Sequence, residues 1–394
     1  MAQKIIPRCF AQVPIGINGA GRIGKFLAWH FIAKQFFAEI VMNIGRGVGK
    51  DLNDFINYFS KDSSFTSLER YLHGHKGNGC SIQHVDEKEG TFYVHGVKIR
   101  VLRETRRPEM IGWGNYGVSL VVDTTGGFLD PSEPVDGKKG SLLGHLEAGA
   151  KKIIVSAPFK VKKDKNAAIL EKTTTIIAGI NDVQYDPKKH FILSTASCTT
   201  TCLAHLMLPL VKAYKENIDN VRMSTIHAST STQAVLDRAP KAGADDLRKL
   251  RSIFNNIIFT TTGATKALPL VIEGLEKISF SATSIRVPIN TGSIVELTLS
   301  LLIPTDVQSV NGILKEAAEK DRNGYLVYDE SQNVSSDIIG STAACTFEST
   351  LTEAQNSKRT PNSLVTVFGW YDNETGYMAM MAENILKIAE EFVV

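Results

Sequence analysis

The feature that most restricts the fold is a glycine-rich turn near the N-terminus, Gly19–Gly24, with the pattern G-x-G-x-x-G. It follows alternating apolar residues at Val13, Ile15 and Ile17 and precedes the apolar stretch Phe26–Phe37, so the order is strand, glycine turn, helix. In this context the first glycine permits the tight turn, the second lets the backbone approach a pyrophosphate, and the third packs helix against strand. The sequence therefore predicts a Rossmann-type dinucleotide-binding domain.

No acidic residue follows directly on the second predicted strand, Ile40–Met42. Dinucleotide folds usually have a carboxylate about 20 residues after the glycines, where it binds the adenosine ribose hydroxyls. The position 20 residues beyond Gly24 is Ile44, which cannot accept a hydrogen bond. Asp51 or Asp54 could supply the acid if a short insertion has shifted the loop, so the choice between NAD and NADP stays open.

A candidate nucleophile, Cys198, lies between the apolar stretches Phe191–Leu193 and Leu203–Leu210, an order that predicts a strand-to-helix junction. The unpaired N–H groups and partial positive charge of a helix N-terminus favour the thiolate, which is the nucleophilic form. Hydroxyls able to bind an anion flank it, at Ser197, Thr199, Thr200 and Thr201. Cys202 follows one helical turn later and is expected to be packed. The C-x-x-x-C spacing does not fit the usual redox or zinc pairs, so no metal site is predicted.

A candidate base, His227, lies in a run of hydroxyl-bearing residues, Ser224–Gln233. A histidine in such a run is more often a structural hydrogen-bonding residue than a catalytic one. Paired with Cys198, it could take the thiol proton and act later as general acid or base.

Alternating apolar runs after Cys198 predict a second domain with a mixed or antiparallel sheet. Strands are expected in Ile278–Arg286, Ser293–Ile303 and Ser363–Trp370, and the polar stretch Glu348–Pro361 is expected to be a loop. The predicted fold class is α/β, a Rossmann-type dinucleotide-binding domain with a second α+β catalytic domain.

The predicted dinucleotide-binding domain covers residues 1–197 and is completed by a C-terminal helix at about 374–394, whereas the catalytic domain covers 198–373. The helix is indicated by apolar residues at helical spacing in Asn384–Val394. Within the first domain, further βα-like units run through Val118–Asp123 and Lys152–Pro158, and Gly127–Gly140 is expected to be an extended loop.

Composition excludes several classes of protein. The formal charge of +3 over 394 residues is too small to argue for nucleic-acid binding. Five cysteines are an odd number, which indicates reduced thiols and a cytoplasmic setting rather than a disulfide framework. No window approaches 18 uninterrupted apolar residues, so no transmembrane helix is predicted.

Taken together, these runs resemble phosphorylating glyceraldehyde-3-phosphate dehydrogenases over nearly the whole chain. The resemblance is carried by motifs at Gly16–Gly24, Leu146–Lys152, Ser156–Pro158, Ala196–Cys202, Thr260–Ala264, Arg286–Pro288 and Trp370–Glu374. It implies an oxidoreductase of glycolysis and gluconeogenesis that assembles as a homotetramer. In the implied reaction Cys198 attacks an aldehyde, His227 takes the proton, a hydride passes to NAD or NADP, and inorganic phosphate cleaves the thioester.

The resemblance also implies the binding residues. The substrate phosphate would be bound by Thr230, Thr232 and Arg286, and inorganic phosphate by Ser197, Thr199, Thr262 and the N–H of Gly263. Cofactor contacts would come from Gly19, Arg22, Ile23, Gly24, Ile44, Arg106, Thr125 and Ser156. Asn373 would bind the nicotinamide carboxamide, and Tyr377 would pack near the ring. Lys249 would lie beside the phosphate sites.

The chain departs from the family pattern in places. Thr201 replaces an asparagine, and Lys249 replaces an arginine found in many members, which keeps the charge but loses the planar fork. Insertions are indicated at Arg46–Lys50, Pro131–Lys139 and Glu348–Pro361. These changes leave two alternatives open: a dehydrogenase of another phosphorylated aldehyde such as erythrose 4-phosphate, and a weakly catalytic cofactor-binding homologue.

The missing acid at Ile44 favours NADP, alone or with NAD. Arg46 and Lys50 follow in the same loop, and Arg106 and Arg107 lie in a segment that the family places near the adenosine half of the cofactor. Together these cations could accept a 2′-phosphate.

Overall fold

The computed structural model describes residues 13–76, 82–161, 166–240, 242–243 and 246–393. The chain divides into two compact units. The first comprises residues 1–176, 184–196 and 381–394, and the second comprises residues 177–183 and 197–380. Cys9 and Cys80 lie outside the described residues, and the three described cysteines are free thiols. Among the helices of the described ranges, none is long and apolar enough to cross a membrane.

The first unit is built on a mainly parallel sheet, which confirms the predicted fold class for this part of the chain. Its strands are β1 (Ile15–Asn18), β2 (Glu39–Asn43), β3 (Lys61–Asp62), β4 (Thr66–Ser67), β5 (Ile82–Asp86), β6 (Thr91–Val94), β7 (Val97–Leu102), β8 (Leu120–Asp123), β9 (Lys152–Val155), β10 (Thr173–Thr175) and β11 (Ile192–Ser194). The main sheet has the order β10-β11-β9-β8-β1-β2-β7-β6-β5, in which only the β5–β6 and β6–β7 pairs are antiparallel, and β3 and β4 form a separate two-stranded sheet. β1 lies between β2 and β8, and its four residues are buried because both faces of a parallel sheet are covered.

Helices connect these strands. They are α1 (Arg22–Lys34), α2 (Leu52–Phe59), α3 (Leu68–His73), α4 (Leu142–Glu147) and α5 (Ala167–Leu170). The helix expected over Phe26–Phe37 begins earlier, at Arg22, because the glycine turn leads directly into it. It ends before Phe37, because Gln35 takes a left-handed conformation with φ of 52°.

The second unit is built on a mixed sheet, as predicted. Its strands are β12 (Ile218–Ala228), β13 (Ile258–Thr260), β14 (Ser279–Val287), β15 (Ser293–Leu301), β16 (Leu326–Asp329), β17 (Cys345–Glu348), β18 (Glu353–Asn356) and β19 (Ser363–Tyr371). The order is β13-β14-β12-β15-β19-β17-β16, with β18 also paired to β19. The helices of this unit are α6 (Cys198–Tyr214), α7 (Ala264–Ala267) and α8 (Val307–Lys320), and a last helix, α9 (Thr375–Ala389), has its first six residues in the second unit and the rest in the first.

One expectation for the C-terminal part needs correction. Glu348–Pro361 is not simply a loop, because it contains a 3₁₀ turn at Ser349–Leu351 and the strand β18, whose polar residues lie at an edge of the sheet. The C-terminal helix expected at about 374–394 is present as α9, which begins at Thr375 and ends at Ala389, and a 3₁₀ turn follows at Glu390–Phe392.

Candidate active site and cofactor cavity

The glycine turn has the geometry that close approach of a phosphate requires. Gly19 has a φ of +108°, which other residues rarely adopt, and a Cβ on Gly24 would lie 2.1 Å from the carbonyl oxygen of Gly19. A Cβ on Gly21 would meet nothing within 4 Å. Gly21 is the N-cap of α1 and offers no side chain, so the first N–H groups of the helix remain available for a pyrophosphate. These features fit a dinucleotide.

A cavity of about 920 Å³ adjoins this turn. Four of the cofactor residues expected from sequence line it, namely Gly19, Ile44, Arg106 and Thr125. The other four expected cofactor residues of the first unit do not line this cavity. Arg22 and Ile23 are the first two residues of α1, Gly24 packs against the glycine turn, and Ser156 follows β9. Asn373 and Tyr377 belong to the second unit.

Among the described residues that line this cavity, several have cationic side chains and none has a carboxylate. Its charged residues are Arg46, Arg106, Arg107, Lys138 and Lys139. The two lysines come from the insertion at Pro131–Lys139 and were not among the residues expected at the cofactor. Lys50, which was expected to contribute, does not line the cavity.

The two carboxylates that could have replaced the missing acid have other roles. Asp51 is the N-cap of α2, and its side chain accepts hydrogen bonds from the N–H groups of Asn53 and Asp54. The Asp54 carboxylate accepts the N–H of Lys50 at 2.7 Å. Neither lines the cavity, so a shifted loop does not bring a carboxylate into it.

A buried polar network lies beneath the glycine turn and was not predicted from the sequence. Asn18 donates to Asp123 at 2.7 Å and accepts from Asn43 at 2.9 Å. His145 Nε2 lies 3.3 Å from Asp123 Oδ2, and its Nδ1 accepts the indole N–H of Trp113 at 2.9 Å. The network joins the carboxyl ends of β1, β2 and β8, where ligands bind in folds of this kind. It was not detectable from sequence because its members lie far apart along the chain.

Cys198 is the first residue of α6, at the predicted junction. Ala196, just before it, has a φ of 55°, which turns the chain between β11 and the helix. Ser197 is the N-cap, and its hydroxyl accepts the N–H of Thr200 at 3.3 Å. The Ser197 hydroxyl, expected to bind inorganic phosphate, therefore caps the helix in this structure.

The structure brings Cys198, His227 and Arg286 together. Cys198 Sγ lies 3.4 Å from His227 Nε2. His227 and Arg286 are direct partners in the parallel register of β12 and β14, which places the guanidinium against the imidazole. His227 Nδ1 lies 2.7 Å from the Ala228 carbonyl oxygen. Arg286 Nη1 contacts the same nitrogen and donates to the Ala228 carbonyl oxygen at 3.1 Å. In the tautomer that donates its Nδ1 proton to this carbonyl, the lone pair of Nε2 is directed at the thiol.

The electrostatics of this cluster disfavour the thiolate form of Cys198 that was expected from the sequence. Burial raises the pKa of the Cys198 thiol, although the Arg286 charge and the N–H of Thr199 act in the opposite direction. Burial and the Arg286 charge lower the pKa of His227 to about 3. The free protein therefore holds a neutral thiol beside a neutral imidazole, because both charged forms would be poorly solvated.

Tyr371 supports this site and was not predicted to do so. Its hydroxyl lies 2.9 Å from Thr199 Oγ1 and 2.8 Å from Thr225 Oγ1, and its burial raises its pKa above the usual tyrosine range. It links the first turn of α6 to β12, the strand that carries His227. The Thr199 hydroxyl, expected at a phosphate, is turned toward Tyr371.

The candidate phosphate residues are arranged in separate groups. Thr230 Oγ1 lies 2.9 Å from Thr232 Oγ1 in the turn after β12. Arg286 keeps its Nε buried without a hydrogen-bond partner, so a donor beside Cys198 is free for an anion. Thr262 and Gly263 precede the short helix α7, and the Thr262 hydroxyl accepts the N–H of Ala264 at 3.3 Å.

Three further predicted residues lie in the second unit. Lys249 pairs with Asp246 at 3.9 Å in an exposed 3₁₀ turn. The Asn373 side-chain oxygen accepts the Ser293 hydroxyl at 3.0 Å, so its Nδ2 group is the part that could donate to a carboxamide. Tyr377 is buried in α9.

Comparison with known proteins gives a consistent result. Residues 13–131 match the family model "Glyceraldehyde 3-phosphate dehydrogenase, NAD binding domain", and residues 197–373 match "Glyceraldehyde 3-phosphate dehydrogenase, C-terminal domain". The chain is 38% identical to the glyceraldehyde-3-phosphate dehydrogenase of Streptomyces coelicolor over 93% of its own length and 95% of that relative. It is 35% identical to the enzyme of that name from Geobacillus stearothermophilus and 34% identical to that from Mycobacterium avium, each over 96% of this chain and 99% of the relative.

Proposed function

The chain belongs to the glyceraldehyde-3-phosphate dehydrogenase family, and we propose that it oxidises glyceraldehyde 3-phosphate with inorganic phosphate to 1,3-bisphosphoglycerate. The observation that carries this proposal is the contact between the Cys198 thiol and the His227 imidazole beside the Arg286 guanidinium. A nucleophile, a base and an anion-binding cation are the groups that covalent oxidation of a phosphorylated aldehyde needs.

The neutral thiol and imidazole determine the first step. As Cys198 Sγ bonds to the aldehyde carbon, its proton moves to His227 Nε2, so charge develops only when substrate is present. The Cys198 N–H and the new imidazolium stabilise the oxyanion of the hemithioacetal. The bound nicotinamide supplies the hydride acceptor. The imidazolium gives its proton to the hemithioacetal oxyanion, and the neutral His227 takes that proton back as the hemithioacetal loses its hydride and becomes a thioester. An oxygen of inorganic phosphate then attacks the thioester carbon, the Cys198 sulfur leaves and takes the proton from His227, and an acyl phosphate is released.

Arg286 binds the substrate phosphate in this proposal. Its unpartnered Nε and its charge suit a phosphate oxygen. It also holds the imidazole, so binding and chemistry depend on the same side chain. Thr230 and Thr232 would add hydroxyl donors.

NADP is proposed as a cofactor, alone or with NAD. The described lining of the cavity has Ile44 at the usual acid position, and Arg46 and Arg106 among its cations. A 2′-phosphate would meet positive charge and no carboxylate.

The homotetramer is likewise proposed from family membership. Exposed apolar side chains in the second unit support self-association, including Leu236, Phe254, Ile257 and Leu270, each more than 60% exposed. Light scattering at micromolar concentration tests it, and a monomer-sized particle would contradict it. The free state of the three described cysteines supports the proposed cytoplasmic location.

A steady-state assay tests the reaction. Purified protein is supplied with glyceraldehyde 3-phosphate or erythrose 4-phosphate, NAD or NADP, and phosphate or none. We expect turnover to require phosphate and to be faster with glyceraldehyde 3-phosphate. Faster turnover with erythrose 4-phosphate would show that glyceraldehyde 3-phosphate is not the preferred substrate. Turnover at an equal rate without phosphate would show that inorganic phosphate does not cleave the thioester.

A further inference from the structure

Two lysines of an inserted loop lie in the wall of the cofactor cavity. The loop connects β8 to α4, and within it Lys138 and Lys139 line the cavity of about 920 Å³. Arg46 and Arg106 line the same cavity. Both lysines have exposed side chains, and neither forms an ion pair within the described part of the chain.

The loop is held in place on both sides of these lysines. Gly137 N–H donates to Pro134 at 3.2 Å, and Gly140 N–H donates to Gly137 at 2.9 Å, which makes two successive turns. Arg107 Nη2 lies 3.5 Å from the Gly137 carbonyl oxygen. Gly140 has a φ of +77°, and a Cβ there would lie 2.7 Å from Pro108 Cδ. The backbone on both sides of the two lysines is therefore held against the segment that presents Arg106.

None of the three acids of this loop lines the cofactor cavity, and Asp136 lines neither that cavity nor the space next to it. Asp130 and Glu133 line a neighbouring space of about 470 Å³, which they share with Lys138 and Lys139, and neither acid lines the cofactor cavity. Lys160 lines only the neighbouring space. The loop therefore adds positive charge to the cofactor cavity without a carboxylate to neutralise it there.

We propose that Lys138 and Lys139 determine cofactor specificity by binding the 2′-phosphate of NADP. A phosphate monoester carries a charge of about −1.5 to −2 and three acceptor oxygens, and each ammonium group offers three donors. NAD lacks this phosphate and gains nothing from the lysines. This inference rests on the proposed use of NADP. It assigns the selectivity of the protein for NADP over NAD to the inserted loop as well as to the end of β2.

Direct binding tests the inference without turnover. Calorimetry measures the dissociation constants of 2′,5′-ADP and 5′-AMP for the full chain, for the double variant Lys138→Ala/Lys139→Ala, and for the matched control Lys160→Ala. Two exposed charge pairs worth about 3- to 5-fold each should weaken 2′,5′-ADP binding by about 10- to 25-fold in the double variant. Binding of 5′-AMP should be unchanged, and the control should bind both ligands as the unaltered chain does.

The other outcomes separate the two proposals. If the unaltered chain prefers 2′,5′-ADP to 5′-AMP but the double variant keeps this preference, the lysine assignment is wrong and NADP use is not affected. If both ligands weaken equally in the double variant, or if Lys160→Ala has the same effect, specificity does not come from these lysines. If the unaltered chain binds both ligands equally, the proposed NADP use fails and the inference fails with it.

Discussion

Replacing His227 with asparagine should slow acylation of Cys198 by about 10²–10⁴-fold at pH 7, the range typical of a positioned base. The lower limit of this range follows from the small ionised fraction of the Cys198 thiol. Burial raises its pKa above the ordinary value of 9.0, so at pH 7 fewer than about 1 in 100 thiols are ionised without help. A variant without a base reacts only through this fraction. Loss of the imidazolium beside the oxyanion extends the range upward.

The assay is rapid mixing of enzyme, cofactor and aldehyde without phosphate, with the burst of reduced cofactor as the readout of acylation. Raising the pH from 7 to 9 should reduce the deficit of His227→Asn by about tenfold per unit, because hydroxide ionises the thiol without a base. Alkylation of Cys198 by iodoacetamide near neutral pH should slow in parallel. A deficit that does not change with pH, or unchanged alkylation, would refute the role of His227 in removing the thiol proton.

The unaltered protein should behave differently across pH. Its His227 pKa is lowered to about 3, so the imidazole stays unprotonated from pH 8 down to pH 5. The acylation rate should therefore show no titration near 6.5, the pKa of an ordinary histidine. A fall centred near 6.5 would mean that burial and Arg286 do not depress the pKa as the geometry indicates.

Three more changes have definite outcomes. Cys198→Ser should abolish dehydrogenase activity and leave the circular dichroism spectrum unchanged, and retained turnover would exclude Cys198 as the nucleophile. Ile44→Asp should shift the ratio of kcat/KM for NADP and NAD toward NAD, because a carboxylate repels a 2′-phosphate; an unchanged ratio would mean that this position does not face the ribose. Tyr371→Phe should lower the free energy of unfolding by about 1–3 kcal/mol, because Thr199 and Thr225 lose a buried partner; denaturation in urea measures this, and a smaller change would show that the hydroxyl bridge is not stabilising.

Local patterns were enough to predict much of the fold. The turn at Gly19–Gly24 could be recognised because strand, turn and helix follow one another in sequence, and β15 and β19 because alternation is a local property. The strand β18 was missed because it is a polar edge strand whose pairing with β19 is set by tertiary structure.

The site was less accessible to sequence reasoning. Cys198 and His227 could be named from their neighbours, but the protonation state of the pair depends on burial and on Arg286. Both follow from the tertiary structure, since Arg286 reaches the imidazole through the β12–β14 pairing. Tyr371 and Lys138 were missed for the same reason: their role follows from what they touch, and nothing near them in sequence indicates it.

The most direct test of the account is a single-turnover experiment with and without inorganic phosphate. Without phosphate, the protein should release about one equivalent of reduced cofactor per chain and then stop, with Cys198 trapped as a thioester detectable by mass spectrometry. Adding phosphate should restart turnover and release an acyl phosphate. No burst, or a burst without an adduct on Cys198, would contradict covalent catalysis by this residue.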